Sequence, residues 1–109
     1  MEELVLRLAG ECRMQQAVAM SSLESGMQLF VYPLSEQRVL LALGVGPDAA
    51  LTAGELLMRR SASLREAGAW LPAVFNDGSL YLVRRLSAQE EEGGEALASQ
   101  LRLALEMLN

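Results

Sequence analysis

The sequence predicts an α+β fold, a mostly antiparallel twisted sheet with helices packed on it, and three patterns carry that reading. The first lies at Thr52. A threonine followed three residues later by Glu55 makes a capping box, in which the hydroxyl accepts an orphan backbone N–H and the carboxylate reaches back towards the cap. The second is a pair of apolar runs, 70–75 and 79–86, separated by Asn76, Asp77 and Gly78, residue types that tolerate the left-handed backbone of a hairpin turn. The third is a set of three short apolar runs earlier in the chain, joined by three-residue connections, the spacing of an antiparallel meander. The resulting order is helix, three strands, helix, two strands, helix. Strands grouped in runs, without regular alternation with helices, indicate α+β.

Glu2 to about Arg13 forms the first helix. Leu4, Val5, Leu8, Ala9 and Cys12 recur on one side, and two glutamates sit in the first turn, where the helix dipole favours them. Leu6 points away from that stripe and is available to a ligand, while Gly10 weakens the second half. Gln16 to Leu23 has moderate strand character and ends in turn chemistry at Glu24-Ser25-Gly26. Met27 to Leu34 is a better strand, with Leu29 and Val31 on one face and Phe30, Tyr32 and Leu34 on the other, so both faces are apolar. Pro33 lacks a donor and marks an edge position or the strand's end. Ser35-Glu36-Gln37 turns the chain into a third strand, Arg38 to Val45, which Gly44, Gly46 and Pro47 terminate. In the central helix Leu56, Leu57, Ser61, Leu64 and Ala67 make the apolar stripe, and Gly68 is the expected stop, supplying a positive φ. The last helix spans Gln89 to Leu108, with Leu97, Leu101, Leu105 and Leu108 at helical spacing and Gly93-Gly94 able to delay its start to Glu95.

At 109 residues the chain is read as one domain, 1–109, with a single core. Apolar residues make up 51% and the mean hydropathy is +0.20, high for so small a domain, which implies surface that meets a partner. No apolar run approaches the ~20 residues needed to cross a bilayer, so membrane insertion is not expected. The acidic start, Met1-Glu2-Glu3, is unlike a basic secretory signal, and the single Cys12 allows no internal disulfide; both point to the cytoplasm. All nine basic residues are arginines against fourteen acidic ones, and a net charge of −5 argues against a phosphate backbone as ligand. The chain has no histidine, which removes the commonest acid–base group and metal ligand. No catalytic, cofactor-binding or metal residue is therefore assigned. There is no glycine-rich phosphate loop and no serine elbow.

Cys12 on an apolar stripe reads as a small buried hydrophobe. Glu90, Glu91, Glu92 and Glu95 read as a solvated run favouring a helix start, since no glycine-spaced loop of oxygen ligands surrounds them. Arg59-Arg60 and Arg84-Arg85 are expected to be solvated, with acidic groups of a partner as the alternative. Met14, Met20 and Met27 are equally suited to core and to an adaptable binding surface, and Trp70 to core or dimer interface.

The helix containing Glu55-Leu56-Leu57, the strand through Trp70 to Phe75, the polar turn Asn76 to Ser79, the run Leu80-Tyr81-Leu82-Val83-Arg84-Arg85-Leu86 and the leucine-rich last helix from Leu101 to Leu108 together resemble the class I chaperones of bacterial type III secretion, the Tir chaperone family. The resemblance covers nearly the whole chain and rests on pattern, without an invariant motif. It implies a homodimer, or a heterodimer with a related chaperone, with the second helix near the twofold axis, which assigns Leu56, Leu57, Leu64 and Trp70 to the dimer interface. It also implies that a secreted effector's chaperone-binding segment wraps the dimer in extended form, keeping it export-competent. Leu6, Met20, Leu29 and Val31 are the expected effector contacts. The competing assignment is a roadblock-like or profilin-like dimeric scaffold for a GTPase or other protein partner. Strand order separates the two, because the scaffold class places two strands before the middle helix and three after.

Overall fold

The computed structural model describes residues 1–23, 26–87, 90–92 and 94–109, with the side chain of residue 92 left out. The turn assigned to Glu24 and Ser25, the expected helix start at Gln89, the Glu92 side chain and Gly93 therefore lie outside the described residues. Helix α1 (Glu2–Gln15) buries Val5, Leu8, Ala9 and Cys12, the stripe that the spacing predicts, and runs two residues past the expected end. It stops at Gln16, whose backbone is left-handed (φ 54°, ψ 40°) and whose N–H returns to the Cys12 carbonyl. Strands β1 (Ala19–Ser22), β2 (Gln28–Pro33) and β3 (Val39–Val45) form the meander, with a 3₁₀ turn at Ser35–Gln37 between the last two. Pro33 is the end of β2, not an edge, since β2 lies between β1 and β3.

The central helix is shorter than its sequence stripe implies. Helix α2 (Ala53–Ala62) begins at the predicted capping box: the Glu55 N–H donates to Thr52 Oγ1 at 3.1 Å, and the threonine hydroxyl donates to the Glu55 carboxylate at 3.0 Å. The helix breaks at Ser63, and one turn, α3 (Leu64–Ala67), follows. Gly68 is right-handed, at φ −61° and ψ −24°, so the expected positive φ is not its role. A Cβ there would lie 2.7 Å from the Leu64 carbonyl oxygen, and close approach is the reason for glycine. Strands β4 (Leu71–Val74) and β5 (Leu80–Arg85) make the hairpin, and helix α4 (Glu95–Leu108) closes the chain after a 3₁₀ turn at Glu90–Glu92.

The sheet order is β1-β2-β3-β5-β4, antiparallel throughout. Three strands precede the central helix and two follow it, the reverse of the scaffold arrangement. Helices α1 and α4 pack on one face, against Leu29, Val31, Leu41, Leu43 and Leu82, while α2 lies beside β4 and α4 and adds Leu56 to the same core. No helix among the described residues covers the other face. No helix among the described residues is long and apolar enough to cross a membrane.

Candidate partner-binding surfaces

Register decides which side of each strand meets the core. Leu29 is opposite Leu43 and Val31 opposite Leu41, all four fully buried beneath the helices. The assignment of Leu29 and Val31 to effector contact is therefore corrected: they pack the core, and β2 presents Phe30 and Tyr32 on its open face instead. Leu6 is half-buried against the core cluster, and Met20, opposite Phe30, is exposed. Of the four residues assigned to a dimer interface, Leu57 and Leu64 are exposed, whereas Leu56 and Trp70 are buried within the protomer. Trp70 cannot reach a partner because its ring is enclosed, with Nε1 donating to Gln100 Oε1 at 3.1 Å and Arg84 over its face at 5.4 Å.

An apolar row crosses the helix-free face from Met20 through Phe30, Ala42 and Val83 to Leu71, with Ser22, Gln28 and Arg85 as the polar residues on the same face. Phe75 stacks on Tyr81 at 4.2 Å between centroids, Tyr81 meets Phe30 at 5.6 Å, and Phe30 meets Tyr32 at 6.0 Å. The middle strand makes room by being small: Ala42 and Gly44 sit opposite Val83 and Tyr81, and a Cβ on Gly44 would lie 2.4 Å from the Tyr81 ring. Burial raises the Tyr81 hydroxyl pKa above its ordinary value, with smaller contributions from Tyr32 and Asp77. Pairing between distant strands assembled this row, although the apolar character of both β2 faces was readable in the sequence.

The two sheet edges differ. Both β1-β2 and β4-β5 close with a glycine of positive φ, Gly26 (85°) and Gly78 (90°), whose N–H donates to the carbonyl of the residue just past the first strand, Leu23 and Phe75 respectively. At the first hairpin the Leu23 N–H donates to the Met27 carbonyl, so alternation directs Ala19 and Ser21 towards β2 and leaves the N–H and C=O of Met20 and Ser22 facing outward. At the second, the Phe75 N–H donates to Ser79, so Ala73 and Leu71 bond β5 and the outward positions are Pro72 and Val74. The β1 edge can accept a strand. The β4 edge lacks a donor at Pro72.

Exposed apolar side chains gather at these edges. Met14, Val18 and Met20 lie where α1 turns into β1, and Leu57, Met58, Leu64, Leu71 and Val74 lie along α2, α3 and β4. Of these, sequence reasoning singled out Met14, Met20, Leu57 and Leu64, and missed Val18, Met58, Leu71 and Val74. Met27 is core.

The charged groups hold the frame. Arg59 donates to the Met107 and Asn109 carbonyls at the end of α4, and Arg60 to those of Trp70 and Gly68, so neither is a free solvated cation. Arg84 bonds Gln100 and Glu90 on the inner side, whereas Arg85 is exposed. Glu90 departs from the expected solvated run, being buried and paired with Arg84, and Glu91 pairs with part-buried Arg13, whereas the Glu95–Arg102 pair is exposed to solvent as expected. No group of three potential metal ligands occurs among the described residues. Burial raises the Cys12 thiol pKa, against a smaller opposing effect of Arg13, as befits a packed hydrophobe.

Among solved structures, a chain of the crystal structure of the ExsC–ExsE complex, ExsC being a type III secretion chaperone, matches all of this chain and 91% of its own length. The TM-score is 0.59 and the sequence identity 16%. The chain has the fold of a type III secretion chaperone. At that identity the likeness is one of architecture, and it agrees with the resemblance read from the sequence. No family model matches the sequence, and neither does any curated protein.

Proposed function

We propose that this chain is a homodimeric chaperone of the bacterial cytoplasm that binds an extended N-terminal segment of a secreted effector and keeps it export-competent, by binding alone and without catalysis. The observation that carries this reading is the open β1 edge. Met20 and Ser22 offer unpaired backbone groups there, beside exposed Met14, Val18 and Met20 and at the rim of an aromatic sheet face. An extended peptide gains backbone hydrogen bonds at such an edge while its alternate side chains enter apolar contacts. The likeness to a chain of a chaperone complex supports the same reading.

The second apolar cluster, Leu57, Met58 and Leu64 on α2 and α3 with Val74 on the helix-bearing side of β4, is proposed as the self-association surface, with Leu71 at the same edge but on the open side of the sheet. It lies at the opposite sheet edge from β1, so a dimer formed there leaves both client edges open. The test is light scattering coupled to size exclusion, on the chain alone and after co-expression with secreted proteins encoded nearby. A mass twice 11.8 kDa, lost in Leu57→Asp and Leu64→Asp, supports the dimer assignment, since either variant places a charge in an apolar contact. Capture of a client's N-terminal segment that Met20→Asp abolishes and Leu57→Asp spares supports the β1 edge. A monomer with no client at any stage overturns the proposal.

A further inference from the structure

The methionines divide sharply by environment. Met27 and Met107 are 6% and 4% exposed, in the core, whereas Met14 and Met58 are 85% and 74% exposed, the two most open large apolar side chains described, and Met20 is 57% exposed. Core thioethers are ordinary gap fillers. An exposed one needs a different account, because a leucine or isoleucine supplies the same apolar contact without the chemistry of sulfur.

Met58 stands on the exposed side of α2, and of its neighbours one turn away Gly54, Ser61 and Ala62 are small and exposed, while the fourth, Glu55, has its carboxylate bonded at the Thr52 cap. Its side chain is left 74% exposed. The same small neighbours would let a second copy come close, and on the dimer surface proposed above a twofold interface would bring this patch of both protomers together around the thioether.

We propose that Met58 is an oxidation-sensitive control point for self-association, an inference that rests on the dimer surface proposed above. The oxidant is a peroxide. The sulfur lone pair attacks one peroxide oxygen, the O–O bond breaks, the sulfur loses two electrons as the S=O bond forms, and the second oxygen leaves as water. The product is a polar sulfoxide in place of an apolar chain end. Enclosing it between two copies without a hydrogen-bond partner disfavours the dimer, raising its dissociation constant about tenfold or more. Linkage makes the effect reciprocal: pairing protects Met58 from the oxidant.

The test uses the full chain carrying Met14→Leu and Met20→Leu, so that Met58 is the reactive internal site, with the unsubstituted chain for comparison. Hydrogen peroxide is added over a range of protein concentrations. Peptide mass spectrometry reads each methionine, and light scattering reads the mass. The expected result is that Met58 oxidises more slowly as the concentration rises through the range where the mass doubles. In the unsubstituted chain Met14 oxidises at one rate throughout, and Met27 and Met107 stay reduced. Protein oxidised at Met58 should then return to the protomer mass with an unchanged circular dichroism spectrum, while a chain also carrying Met58→Leu stays paired after peroxide. A protein that is dimeric and protects Met58, yet keeps its mass once Met58 is oxidised, overturns this inference and leaves the dimer surface standing. A monomer at all concentrations, or a dimer in which Met58 reacts as fast as Met14, overturns the surface itself and the inference with it.

Discussion

The two edges of the sheet face the same solvent and are built in opposite ways. At β4 the edge is anchored: Trp70 leads into the strand with its ring enclosed, Arg60 donates to its carbonyl, and Pro72 stands where an outward donor would be. Strand β1 has the same length, but its core-facing residues Ala19 and Ser21 are small and its outward N–H groups at Met20 and Ser22 are intact. An exposed donor row is a liability that proteins usually blunt with proline, charge or a covering element. Here one edge is blunted and the other is not, and the proposed division of backbone pairing at β1 from side-chain packing on the β4 and α2 side rests on that difference.

Replacing the anchor sharpens that contrast most. Trp70→Ala should cost about 3–5 kcal/mol in urea unfolding, because it empties the largest buried site and leaves Gln100 and Arg84 without their ring partner. Ala19→Gly on β1 should cost under about 1 kcal/mol in the same assay, and equal losses at the two positions would remove the difference in anchoring. An effect smaller than that of Trp70→Ala is expected from Met20→Pro. It deletes an outward N–H that bonds nothing in β2, so client capture by pull-down should fall on the order of tenfold with the chain still folded. Retained capture would show that the client does not pair with this edge. The converse change, Pro72→Thr, returns a donor to the blunted edge and should add concentration-dependent association in light scattering beyond any present in the unsubstituted chain.

The smallest effect belongs to Asp77 in the β4-β5 turn. Hydrogen bonds from Ser79, its hydroxyl first and then its backbone N–H at 2.9 Å, hold the carboxyl pKa below the ordinary 3.8. A carboxylate with a depressed folded-state pKa stabilises the fold above the ordinary value, and the contribution disappears as pH falls through the folded value, which here lies below 3.8. Unfolding midpoints of the parent and Asp77→Ala should therefore differ slightly at neutral pH and converge in that acid window. A difference that persists there would trace to turn geometry and not to charge.

Much of the fold was legible because its cues are local. The Thr52–Glu55 cap, the Asn76-Asp77-Gly78 turn, the α1 stripe ending at Cys12 and the start of α4 after Gly94 each depend on residues within a turn or two of one another. The expectation failed in two ways, in local geometry that residue spacing does not specify and in contacts distant in sequence. Ser61 and Leu64 continued the helical stripe on paper, but the helix breaks at Ser63 and both are exposed. Gly68 was read as a left-handed stop, and a steric approach to Leu64 explains it instead. Arg59 and Arg60 read as surface charge, yet they cap carbonyls up to fifty residues away. Among the residues assigned to binding, Met20, Leu57 and Leu64 are presented to solvent, while Leu29, Val31, Leu56 and Trp70 are enclosed.

What this sequence determined by itself is the list of elements, their order and the surplus of apolar surface, because periodicity, capping and turn chemistry act over a few residues and composition is a sum. What only the tertiary structure decided is which face each apolar residue joined. A strand apolar on both sides has no local reason to prefer one, and the choice fell to register: Leu29 against Leu43 under the helices, Phe30 against Ala42 in the open. The two edges were settled by the same long-range pairing, since whether an N–H faces β2 or solvent depends on its partner strand and not on the residue that carries it.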